Sequence, residues 1–83
     1  MAEITVVRVE QYPSEEPVGW AVGFNVVCSN GRSFYIDTVV DFSKAKTDEE
    51  AVEVALQELK DQISSRVSEL EKKAPVLGKK ITL

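Results

Sequence analysis

The chain has 83 residues, 43% apolar and 29% charged, with a net charge of −4, one cysteine and no histidine. That length holds one domain, which buries about 60 to 65% of its unfolded surface. A lone cysteine excludes an internal disulfide, and carboxylates alone, with no spaced D-x-D-x-D-G loop, do not point to a metal site.

Self-association remains as the way so small a domain gains stability. Charge is unevenly spread. Residues 1–43 hold two basic and six acidic side chains, and residues 44–71 hold four and eight. Residues 72–83 carry Lys72, Lys73, Lys79 and Lys80 with no acid. An acidic body with a basic tail argues against a broad phosphate-binding face on the folded part.

In chain order, residues 3–12, "EITVVRVEQY", read as a strand rich in β-branched residues. Thr5, Val7, Val9 and Gln11 form one face, and Ile4, Val6, Arg8, Glu10 and Tyr12 the other. Both faces begin apolar and end polar, so the first half is expected to be covered on both sides. The same stretch lacks the apolar core of a signal peptide. "PSEEP" is a loop.

Residues 18–28 and 33–42 are two further strands. The longest mostly apolar stretch, 18–28, falls short of the about 20 residues a membrane-spanning helix needs.

The turn between these strands has two candidate registers. A two-residue Asn30-Gly31 loop would set even positions of one strand opposite odd positions of the next. A three-residue loop, Ser29-Asn30-Gly31 with Gly31 left-handed, sets even opposite even. The even positions include Trp20, Val22, Phe24, Val26 and Cys28, then Phe34, Ile36, Val40 and Phe42. Only the three-residue loop gathers them on one face, and each large apolar side chain gains about 1.5 to 3 kcal/mol on burial. The hydrophobic pattern therefore selects the bulged turn. It also defines an opposite face of Gly19, Ala21, Gly23, Asn25 and Val27 beside Ser33, Tyr35, Asp37, Val39 and Asp41, where Tyr35 lies diagonal to Gly23.

Residues 47–73 read as a helix. Thr47 and Glu50 form a capping box, and Asp48, Glu49, Glu50 and Glu53 crowd the positive end of the helix dipole. Pro75 stops it. Val52, Leu56, Leu59, Ile63, Val67 and Leu70 make a stripe, widened by Ala51, Val54 and Ala55. At about 1.5 Å per residue the helix outruns the strands, so its last two turns, with Val67 and Leu70, are expected to overhang the sheet.

The predicted fold is α+β, a three-stranded antiparallel β-meander with one long helix across one face (βββα). One domain covers residues 1–74. Residues 75–83 form a basic tail or a short fourth strand at an edge.

No residue pattern carries catalytic chemistry. Cys28 has no histidine partner and sits on the apolar face, so it reads as a packed thiol. Asp37 and Asp41, four apart on one strand, lie about 13 Å from each other on a flat face rather than in a cleft. The acidic run from Thr47 is explained by capping. The expectation is a non-enzymatic protein–protein interaction or assembly module, homo-oligomeric, without cofactor or metal. Its candidate interface residues are Tyr35, Val39, Val27, Val67 and Leu70, and its partner is a second copy or another protein rather than a membrane.

Two alternatives involve nucleic acid: binding through the basic tail, or an acidic inhibitor that mimics it. Small acidic proteins without histidine are common in phage and other mobile elements, so a cytoplasmic or virion-associated setting is expected.

Overall fold

The computed structural model describes residues 2–72 and Thr82. Three strands, β1 (Glu3–Tyr12), β2 (Gly19–Val27) and β3 (Ser33–Asp41), precede one helix, α1 (Asp48–Lys72). The strands form one antiparallel sheet in the order β1-β2-β3, and α1 packs on one face. This is the βββα arrangement the sequence predicts. The tail or fourth strand predicted for residues 75–83 lies outside the described residues, except Thr82, which is exposed and belongs to no element.

The β2–β3 register is the one the hydrophobic pattern selects. Val26 faces Phe34, Phe24 faces Ile36, Val22 faces Thr38 and Trp20 faces Val40. The amide of Cys28 donates to the Arg32 carbonyl at 2.7 Å, and the amide of Gly31 donates to the Cys28 carbonyl at 3.0 Å. Gly31 closes the loop with φ of 87°, in the left-handed region where a Cβ is disfavoured. Val18, the first residue of the strand predicted over 18–28, stands outside β2 and is 56% exposed.

β1 resolves its ambiguous alternation with a bulge. The register with β2 shifts between Val6 and Arg8, so Val6 lies opposite Phe24 but Val9 lies opposite Val22. Directly paired residues share a face. The extra residue therefore turns Ile4, Val6 and Val9 all toward the helix side, while Arg8, Glu10 and Tyr12 go to the other. Among the described residues nothing covers either side of the first half: Ile4, Val6 and Val7 are all exposed.

Burial in α1 follows Ala51, Ala55, Leu59 and Ile63. This keeps Leu59 and Ile63 of the predicted stripe but corrects its first turns, which the sequence ran through Val52 and Leu56 with Ala51 and Ala55 as its margin. Alanine has no bulk beyond Cβ, so the backbone approaches the sheet most closely along the alanine line. The larger Val52 and Leu56 are displaced to its flank, Val52 half-buried and Leu56 exposed. Against this line the sheet sets Val22, Phe24, Val26, Cys28, Phe34 and Val40.

The N-terminal cap forms in part. Thr47 Oγ1 accepts from the Glu50 amide at 3.2 Å, but the Glu50 carboxylate accepts from the Lys46 amide at 3.4 Å instead of from Thr47. The connector before the cap folds on Asp41, whose Oδ1 accepts from the Ser43 amide at 2.8 Å. That bond holds the Asp41 carboxyl below its ordinary range. Beneath the connector, Trp20 donates from Nε1 to the Ala45 carbonyl at 3.3 Å and meets Phe42 edge-on at 5.7 Å.

The expected overhang of the helix does not occur. The hairpin turn extends the sheet to the last turn of α1. There the Ser29 amide donates to Glu71 Oε2 at 3.0 Å, the Ser29 hydroxyl donates to the same oxygen, and Asn30 Nδ2 donates to the Leu70 carbonyl at 3.0 Å. Arg66 lies over the Phe34 ring at 4.9 Å. Val67 and Leu70 are half-buried against the core. The estimate of length counted only the strands and omitted the loop, which supplies the missing reach.

Candidate interaction surface

The sheet face opposite α1 has no layer of described residues across it. Its centre is the first half of β2, where the residues on this side are small: Gly19, Ala21 and Gly23, all buried by their neighbours. Around this flat floor stand larger side chains, Tyr12, Tyr35 and Val39 from the flanking strands and Val27 from the far end of β2. Tyr12 is 46% exposed, Tyr35 49%, Val39 46% and Val27 38%.

A methyl group at Gly23 would overlap the Tyr35 phenol, so the ring lies down across β2 only because this position is glycine. The diagonal cover suggested by the sequence is present.

Polar groups on this face are organised by Arg8. Its Nε donates to Glu10 Oε1 at 2.7 Å, and Nη1 lies 3.9 Å from Asp37 Oδ2. Hydrogen bonds with Glu10 and with Tyr35 raise the guanidinium pKa above its ordinary value. Arg8, Tyr12, Ala21, Asp37 and Val39 line a shallow depression of about 220 Å³ here. Asp41 is not part of it. Chemically, this arrangement fixes one cation between two carboxylates and a phenol on an otherwise flat surface.

The five candidate interface residues therefore do not form one surface. Val27, Tyr35 and Val39 share the open face. Val67 and Leu70 lie on the other layer, packed on the protein's own core, and so lose the reason for which they were selected. Cys28 is buried at the strand end, as a packed thiol should be.

The sequence missed the role of Arg8 because the unbulged alternation put it on the side of Ile4 and Val6. The signal that could have found it is the run Val6-Val7, two apolar residues that a regular half-buried strand cannot place on one side.

Among the described residues no helix is long and apolar enough to cross a membrane. In comparisons with protein-family models, with curated proteins and with solved structures, nothing matches this chain.

Proposed function

We propose that this protein is a non-enzymatic interaction module that associates with a second copy of itself through the open sheet face. The observation that carries this reading is the exposure of Val27, Tyr35, Val39 and Tyr12 around a floor of small residues. A flat floor with apolar and tyrosine side chains at its margin suits packing against another flat surface, and tyrosine is enriched at such contacts. A two-fold contact is self-complementary: each copy brings the same patch, and the Arg8 of one can face Asp37 or Glu10 of the other.

Electrostatics give this reading a distinctive signature. Glu3, Glu10, Asp37 and Asp41 share the face with Arg8, the one cation on it among the described residues. Two copies meeting here repel at long range, and salt screens that repulsion over a Debye length of about 8 Å at physiological ionic strength. Homotypic association therefore strengthens as salt rises. Binding of nucleic acid through basic residues does the opposite, because salt competes with each phosphate contact.

Val39→Glu tests the location of the contact. It adds a charge to the middle of the patch and is expected to weaken self-association at least tenfold in sedimentation velocity. Gln62→Glu, an equal change in charge at an exposed helix position, should leave association unchanged. Equal effects from both variants would mean that the open face is not the contact.

A further inference from the structure

The hairpin turn carries a reactive pair that the open face does not use. Asn30 is followed by Gly31, and a Cβ at Gly31 would meet nothing within 4 Å beyond its chain neighbours. The backbone nitrogen next to the Asn30 side chain is therefore unshielded. This is the arrangement in which an asparagine amide is attacked by the nitrogen of the following residue. The chain's other asparagine, Asn25, precedes the branched Val26 inside β2 and lacks that opening.

The folded turn ties down each group the reaction needs. The Gly31 amide, which must lose its proton, donates to the Cys28 carbonyl at 3.0 Å. Asn30 Nδ2, the leaving nitrogen, donates to the Leu70 carbonyl at 3.0 Å. Asn30 Oδ1, on the carbon to be attacked, accepts from the Arg32 amide at 3.1 Å. The Nδ2 bond joins the turn to the last turn of α1, beside the bonds from Ser29 to Glu71. Turns and helix ends open locally at less cost than the core.

We propose that Asn30 is a site of spontaneous deamidation gated by α1, closed while the turn is docked on Leu70 and Glu71 and reactive when it lifts away. Hydroxide takes the Gly31 amide proton, and the nitrogen forms a bond to Asn30 Cγ. The Cγ–Nδ2 bond breaks, and Nδ2 leaves as ammonia with a proton from water. A second water then opens the cyclic imide at either carbonyl, giving aspartate or isoaspartate.

Either product puts a carboxylate where the amide donated. It meets the Leu70 carbonyl at the negative end of the helix dipole, close to the Glu71 carboxylate, and an ionised carboxylate only accepts. Redocking is then opposed, so the modification keeps the turn open.

Peptide mass spectrometry at mildly alkaline pH tests this on the full chain, folded and in urea, with Asn25 as the internal reference. Each folded rate is taken relative to the same protein in urea. Asn30 rather than Asn25 is expected to convert in urea, and far more slowly in the folded chain. Glu71→Ala leaves the Ser29-Asn30-Gly31 sequence intact and should speed the folded reaction about tenfold or more, the weight of one hydrogen bond to a charged group. Glu58→Ala removes the ion pair with Lys44 from the same helix and should leave the rate unchanged. If Glu71→Ala does not fold, Ser29→Ala replaces it against the same outcomes. Conversion of the folded wild type as fast as in urea overturns the proposal. So does a Glu71→Ala rate equal to wild type, or equal acceleration by Glu58→Ala, which would make global unfolding the gate.

Discussion

Gly31 takes the one positive φ among the described residues, and the position is open enough that a Cβ would touch nothing. The cost of a side chain here is therefore backbone strain alone. Gly31→Ala is expected to lower stability by about 1 to 2 kcal/mol in urea unfolding, and Gly31→Asn by less, because asparagine tolerates the left-handed region. Equal stability of all three would mean that the loop does not hold this conformation.

A second residue, Glu71, links that loop to the helix. Its bonds from the Ser29 hydroxyl and the Ser29 amide hold the carboxyl below the ordinary glutamate range. A carboxyl depressed in the folded state stabilises it above the unfolded pKa, and that contribution is lost as pH falls through the folded value. Amide exchange at Ser29 should therefore accelerate as pH drops below the ordinary glutamate range, beyond the intrinsic pH dependence of exchange. In Glu71→Gln that extra acceleration should be absent. Identical profiles in the two proteins would contradict the clamp.

At the scale of elements, the hairpin and the helix differ in how far their sequences could be read. In β2 and β3 the side-chain period is two, so a shift of one residue exposes every large apolar group. That all-or-none consequence made the register legible down to individual pairs such as Phe24 with Ile36. A helix turned by a third of a turn still buries part of its stripe, so periodicity alone did not separate the line through Ala51 and Ala55 from that through Val52 and Leu56. The difference is set by how closely α1 approaches the sheet, a tertiary quantity.

Two substitutions measure it. Leu59 is 4% exposed, and Leu59→Ala is expected to cost about 2 to 5 kcal/mol, enough to unfold much of a domain this small. Leu56→Ala, at 37% exposure, should cost about 1 kcal/mol or less. A reversed order in thermal unfolding would contradict the burial line through Ala51, Ala55, Leu59 and Ile63.

For the whole molecule, the division into a covered and an uncovered sheet face was legible, since it follows from the alternation in two strands. The bulge in β1 was not, because Thr5-Val6-Val7 fits either side until β2 is in place. The reach of the turn to Glu71 was also hidden. It depends on a contact between residues 42 positions apart, with no periodic signal to announce it.

These two features redraw the candidate surfaces. The end of the helix is sealed by Ser29 and Asn30, Arg8 joins Tyr35 and Asp37 on the open face, and on the helix layer Ile4 and Val6 of β1 stay exposed beside α1. The association proposed above then rests on the open face alone.

The most direct test is absolute mass by light scattering on a sizing column, over a hundredfold range of concentration, at low and at physiological salt. A dimer that grows in proportion with concentration and is favoured by added salt is the expected result. A monomer at every concentration and both salts would contradict the account.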